Sequence, residues 1–229
     1  LQPGPPGAFD EAGAMGACIV EAGGEERLYY QGWSLPPGRP FHTAIGLAVR
    51  RIGDHDRPFE RVSDRPILEG AAGCFAGNPA VLPDGRGGWR MWFQQGLPWA
   101  RRDGAALPRY AIAEAHSADG IRWQVLPGAG LRWALPGEVA ISRFWPWREG
   151  AGWRAAFCCR GDAWPYRLGL AHSADGTRWA REAAPPLQPG PGEDGALCYP
   201  TVFEAEGRRW MLVNAGRYGA AGLGLAVEE

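Results

Sequence analysis

The nonamer AHSADGIRW (115–123) returns as AHSADGTRW (171–179) with eight of nine residues identical, so a repeated active site and a repeated scaffold are both open at first sight. Away from it, three polar residues introduce apolar or aromatic runs: Asn78 before PAVL, Arg143 before FWPW and Tyr199 before PTVF. An arginine placed this way offers a two-pronged fork to a carboxylate or a phosphate. The competing reading is local: all three satisfy strand-end backbone groups, and Arg143 forms an internal ion pair with Glu138, Asp194 or Asp10. The acids Asp10, Glu11, Glu138, Glu193 and Asp194 stand in Gly/Pro-rich links, where solvated acids are common.

Composition removes several chemistries. All 24 basic residues are Arg, so neither a lysine Schiff base nor a Walker phosphate loop is available. Twenty-five acids against 24 bases leave a formal charge of −1, which gives no general attraction to nucleic acid or an anionic membrane. Four His without HxH or HxxxH spacing argue against a metal site, and nothing calls for a cofactor. Cys18, Cys74, Cys158, Cys159 and Cys198 are odd in number and lack CxxC spacing, which reads as buried or free thiols of a cytoplasmic protein. No apolar run approaches the roughly 18 residues of a membrane span, and no signal peptide is visible.

The elements that must position these residues follow from a longer repeat. Thirty-five Gly and 21 Pro punctuate short β-branched and aromatic runs. A strand-like IGLA (45–48) recurs as IAEA (112–115), LGLA (168–171) and LGLA (223–226). Upstream of each lies an aromatic run: RLYYQG (27–32), WRMWFQQG (89–96), WRAAFCCRG (153–161) and RWMLVNAG (209–216). A first strand precedes that: ACIVEA (17–22), NPAVL (78–82), ISRFWPW (141–147) and YPTVFEA (199–205). A fourth follows: FERV (59–62), RWQVL (122–126) and RWARE (178–182). Four strands repeating every roughly 55–65 residues predict an all-β propeller with one domain over 1–229 and blades at about 14–68, 76–130, 138–187 and 196–229. LQPGPPGAFDEAGA at the start is similar to LQPGPGEDGALCYP (187–200), a blade link. The expectation is therefore a chain opening within a link, its parent carrying about 60–80 further N-terminal residues, one blade's worth.

In such a repeat the nonamer is scaffold, at the turn between strands three and four. Ser117 and Asp119, with Ser173 and Asp175, are expected to bond the turn backbone. Gly120 and Gly176 supply its positive φ, and Trp123 and Trp179 pack between blades. The loops entering strand one and joining strands two and three share the opposite face. They bring Asn78, Arg143 and Tyr199 together with Trp33, His42, Arg160, Asp162 and Asn214. Residues 94–109 are expected there as a connecting loop, with Trp99, Trp164, Tyr166 and Tyr218 as further aromatics.

The segments YYQGWSLPPGRPFHTAIGLAV (29–49), RYAIAEAHSADGIRW (109–123), RGDAWPYRLGLAHSADGTRW (160–179) and YPTVFEAEGRRWMLVNAGRYGAAGLGLAV (199–227) carry a family likeness. The chain resembles the five-bladed propellers of the arabinanase, levansucrase and invertase type, glycoside hydrolase families 43 and 32, and most of all a bacterial branch associated with polysaccharide biosynthesis. The resemblance implies a carbohydrate-active propeller, with a glycan, an anionic sugar or a sugar phosphate as ligand. Carboxylates at strand entrances would flank an oxocarbenium-like transition state, which assigns Asp10, Glu138 and Asp194 as candidate acid and base. A non-catalytic glycan- or partner-binding module of a longer, bifunctional protein is the alternative.

Overall fold

A computed structural model describes residues 1–71, 73–190, 195–216 and 218–228. These residues form no helix and fifteen strands. The first blade holds β1 (Gly13–Ala22), β2 (Glu25–Ser34), β3 (His42–Arg51) and β4 (Glu60–Arg61) in sequential antiparallel order. The second holds β5 (Ala76–Pro83), β6 (Trp89–Arg102), β7 (Ala105–Ser117) and β8 (Gln124–Leu126). The third holds β9 (Glu138–Glu149), β10 (Gly152–Gly161), β11 (Arg167–Ser173) and β12 (Ala180–Arg181). The fourth has β13 (Leu197–Ala205), β14 (Arg208–Ala215) and β15 (Leu223–Val227). The chain is thus a β-propeller built of antiparallel blades. The first two blades make one compact unit (1–109 and 113–128), and the last two make a second (110–112 and 129–229).

The recurring sequence features have simple packing causes. Gly46 and Gly169 lie on strand three of their blades, where an added Cβ would come within 2.3 Å of Tyr30 and 2.4 Å of Phe157, aromatics of strand two. Only glycine leaves that room. In the first unit Tyr29, Ile45, Leu47, Met91 and Phe93 form the core. In the second, Cys158, Tyr166, Leu168, Leu197 and Val213 do so. All five cysteines are free and buried.

Both nonamers fold as expected. Ser117 Oγ accepts the Gly120 N–H at 2.8 Å, and Asp119 Oδ1 accepts the N–H groups of Ile121 and Arg122 at 2.9 and 2.8 Å. Ser173 and Asp175 repeat the pattern with Gly176, Thr177 and Arg178 at 2.8, 2.8 and 2.9 Å. Gly120 and Gly176 have φ of 76° and 75°, as such a turn needs. These N–H donors hold the Asp119 carboxyl well below the usual range and bring Asp175 down to about 2. The turn also joins blades within the first unit, where Arg27 and Tyr29 donate to the carbonyls of Asp119 and Gly120 at 2.8 and 2.9 Å. Trp123 packs on Tyr29 of the neighbouring blade. Trp179 instead turns onto Phe144 of its own blade and donates to Gly176 O.

Residues 94–109, expected as a loop, are mostly hairpin. β6 and β7 extend past the blade and reverse at Asp103–Gly104, where φ values of 50° and 80° fit the tight turn favoured by the right-handed twist of strands.

Candidate functional site

Each inner strand is interrupted near its start by a β-bulge, and three of these bulges carry a non-glycine residue in the left-handed region. In β5 the register against β6 slips between Gly77 and Ala80, and Asn78 has φ of 45°. In β9 the slip against β10 falls between Ser142 and Trp145, and Arg143 has φ of 48°. In β13 it falls between Cys198 and Thr201, and Tyr199 has φ of 54°. Across β1 and β2 the slip lies at Gly16–Cys18. A side-chain-bearing residue costs about 1–3 kcal/mol in such a conformation, and strain of this kind gathers at ligand sites. Bulges also re-aim side chains. Asn78, Arg143 and Tyr199 are therefore equivalent positions, each held in a strained conformation that glycine would take without cost.

What holds the bulges also repeats. In the first unit Gln31 Oε1 accepts the Asn78 N–H at 2.9 Å, and the Asn78 side chain donates to Gln94 Oε1 at 2.8 Å. In the second unit Cys158 stands where Gln31 and Gln94 stand in their blades. Its thiol donates to Ser142 O at 3.4 Å, and its sulfur accepts the Tyr199 N–H at 3.4 Å. One buried thiol thus ties the bulges of Arg143 and Tyr199 to strand two between them. Burial pushes the Cys158 pKa well above its ordinary value, so it is a packing thiol rather than a nucleophile.

Around these points the second unit gathers tyrosines. Tyr199 stacks on Tyr218 at 6.2 Å and tilts against Tyr166 at 5.7 Å. The hydroxyls of Tyr110 and Tyr166 are hydrogen-bonded to each other. The Arg160 guanidinium lies 5.6 Å from the Tyr110 ring and 5.9 Å from the Tyr166 ring. Burial works against the charge on Arg160, and the Tyr110 and Tyr166 hydroxyls outweigh it, so its pKa rises. Burial likewise pushes the pKa of Tyr110, Tyr166 and Tyr199 upward, which keeps all three hydroxyls protonated at neutral pH. Arg143 lies over Trp145 and donates to Thr201 Oγ1 at 3.1 Å, two residues beyond Tyr199. Asn214 is bonded to Tyr218 O, and Asp162 is exposed on the loop after β10. Tyrosine faces for stacking, neutral hydroxyls and two guanidiniums suit a polyhydroxylated ligand carrying negative charge.

Trp33, His42, Trp99 and Asp10 belong to the first unit. Trp33 packs on Phe41, which meets Phe75 and Trp99 at 5.3 and 5.1 Å. His42 begins β3, half-buried, and its burial lowers its pKa, with Glu69 opposing. Asp10 lies against Gly32, the chain neighbour of Trp33. It is 1% exposed and receives Arg61 at 2.7 Å and the Tyr30 hydroxyl at 3.1 Å. Glu138 repeats this in the third blade: it is 5% exposed, receives Arg181 at 2.9 Å, and accepts the N–H groups of Ala134 and Leu135 at 2.7 and 3.1 Å. Arg61 and Arg181 occupy the same place on strand four, paired with Ala48 and Ala171. The two acids are a repeated clasp within a blade, so neither is the ion-pair partner considered for Arg143. Asp194 and Glu193 lie outside the described residues.

Tyr110 was missed because the sequence marks it as a strand-three residue. Its place directly after the 94–109 segment was the available signal.

Comparison with known proteins places the fold first. A protein described as a glycoside hydrolase superposes with a TM-score of 0.74 at 16% identity, over 97% of this chain and 71% of that one. The α-L-arabinanase of Cellvibrio cellulosa gives 0.61 at 16% identity, over 91% and 71%. The Bombyx mori family-32 β-fructofuranosidase gives 0.67 at 17% identity, over 94% and 45%. These likenesses establish the five-bladed propeller class. No family model matches the chain. The uncharacterized protein Rv1502 of Mycobacterium tuberculosis is 33% identical over 234 residues, spanning all of this chain and 76% of its own length, and the chain belongs to its family.

Proposed function

We propose that the chain is a carbohydrate-active propeller, glycoside hydrolase-like in scaffold, which takes a glycan or sugar at the bulged ends of its inner strands. The ligand class that fits is an anionic sugar or sugar phosphate. The observation that carries this reading is the strained pair Arg143 and Tyr199, tied through Cys158 and set among the second unit's tyrosines and Arg160. Arg143 supplies the fork for the anionic group, Tyr199 and Tyr218 the faces for stacking, and Arg160, Asp162 and Asn214 the polar rim. Asn78, His42 and Trp33 are the corresponding candidates in the first unit. Arabinanase and fructofuranosidase among the structural neighbours support sugar as the ligand class. Five free, buried cysteines suit a reducing, cytoplasmic setting.

Glycoside hydrolysis normally needs two carboxyl groups across the bond, and Asp10 and Glu138 are closed into arginine pairs. Asp194 remains as an acid–base candidate. The test is calorimetric titration with galacturonate, glucose 1-phosphate, sucrose and arabinohexaose, alongside a hydrolysis assay on the last two. An anionic sugar should bind, and Arg143→Met should weaken it by about 2–5 kcal/mol with folding retained. Absence of any sugar binding, with Arg143→Met lowering the melting temperature by several degrees, would overturn the reading. Hydrolysis lost in Asp194→Asn would add the catalytic step, while binding without turnover would favour the non-catalytic module.

A further inference from the structure

Two leucines of the fourth blade depart from a pattern that the other three blades keep. The strand-three tetrapeptide places its first and third side chains on one face of the sheet. In the first three blades these are Ile45 and Leu47, Ile112 and Glu114, and Leu168 and Leu170, none more than 8% exposed. In the fourth they are Leu223 and Leu225, which are 73% and 58% exposed. Leu212 of β14, paired with Leu225, is exposed on the same face.

What covers this face is the same in both units. Ile45 and Leu47 cluster with Val81 of β5 and with Met91 and Phe93 of β6. Leu168 clusters with Leu197 of β13 and Val213 of β14, and Leu170 with Val202 and Met211 of the same two strands. Strands one and two of the following blade close the face each time.

A polar bond marks the same seam. The first residue of the tetrapeptide is paired with Gln31 in the first blade, Cys158 in the third and Asn214 in the fourth. Gln31 and Cys158 each accept the N–H of the next blade's bulge. Asn214 is placed for that bond as well. Its Nδ2 donates to Tyr218 O at 3.3 Å, and among the described residues no donor meets its Oδ1.

A stack of repeats ends on a unit with a polar outer face, because an apolar one would stay wet. The fourth blade is no such cap: it keeps the apolar pattern of an interior blade. Rv1502 gives a measure of what lies beyond it. The segment aligned with these four blades takes up 76% of its length, which leaves room for one more of the same size.

We infer that the far face of the fourth blade docks one further blade of the same polypeptide. Strands one and two of that blade cover Leu212, Leu223 and Leu225, and its bulge N–H donates to Asn214 Oδ1. The inference rests on packing and holds with or without a sugar ligand.

The test joins residues 1–229 to the part of Rv1502 outside the alignment, in the relative's own order. Leu225→Cys is made in the joined chain and in 1–229. A thiol reagent should label it at once in 1–229 and at least about tenfold more slowly in the joined chain. Leu225→Glu should lower the melting temperature of the joined chain by several degrees and barely change that of 1–229. The intact relative gives a reading that does not depend on the joined chain folding: a cysteine at its position aligned with Leu225 should be equally shielded. Fast labelling in the intact relative would overturn the inference. Equal effects of Leu225→Glu in a folded joined chain and in 1–229 would do the same. So would a dimer of 1–229 that Leu225→Glu turns into monomer, because a second copy would then be the occupant.

Discussion

The backbone N–H of Tyr199 donates to Cys158 Sγ at 3.4 Å, and in the first unit the backbone N–H of Asn78 makes the corresponding bond to Gln31 Oε1 at 2.9 Å. A bulge frees an N–H from the ladder, and strand two of the preceding blade supplies the replacement acceptor. Gln31→Leu should leave the Asn78 N–H buried and unpaired, costing about 1–3 kcal/mol in chemical unfolding. A cost near zero would mean that the bulge finds another acceptor.

Strain at the bulges has its own signature. Arg143→Gly relieves a left-handed φ of 48° and removes the guanidinium in one step. Gain and loss should nearly cancel in stability, within about 1 kcal/mol, while sugar affinity falls as far as in Arg143→Met. A large loss of stability with affinity intact would mark Arg143 as purely structural.

The clasp acids behave differently. Glu138→Gln leaves Arg181 without its carboxylate, and breaking a buried ion pair from one side costs about 3–5 kcal/mol. Asp10→Asn acts on Arg61 in the same way. Both variants should melt well below the parent protein, and calorimetry checks this directly. An unchanged melting temperature would reopen the catalytic reading of these acids.

The nonamer turns set an acid limit. The fold lowers the pKa of Asp119 and Asp175, so their contribution is complete above the ordinary carboxylate range near about 4. It is lost as pH falls through the folded values, about 2 for Asp175. Asp119→Ala should lower stability at pH 7 and flatten its dependence on pH between 4 and 2, with sugar binding spared. Weakened binding at an unchanged melting temperature would contradict the scaffold role.

Strands were legible because the repeat writes each one several times, so a weak local signal is read more than once. The equivalence of Asn78, Arg143 and Tyr199 was legible for the same reason. Their left-handed backbone was not, because the residue type that announces such a conformation, glycine, is absent at all three. The clasps were hidden by distance. Asp10 and Arg61 are 51 positions apart, Glu138 and Arg181 43 apart, and an acid in a Gly/Pro-rich link carries no mark of a far partner. The one clue was that Arg61 and Arg181 hold the same place in FERV and RWARE. The tyrosine cluster draws its members from β7, β13 and the loops after β10 and β14, an assembly that exists only once the blades have packed.

Five free thiols, all buried, in the first, third and fourth blades and in the link before the second, give the molecule an internal stopwatch. A thiol-reactive reagent reaches each one only when its surroundings open, so labelling rates under native conditions rank local openings against global unfolding. Cys158, held from both sides, should react on the slowest clock, whereas Cys74, outside any strand, should react on a faster one. The same protein, without a single substitution, thereby reports which of its blades lets go first.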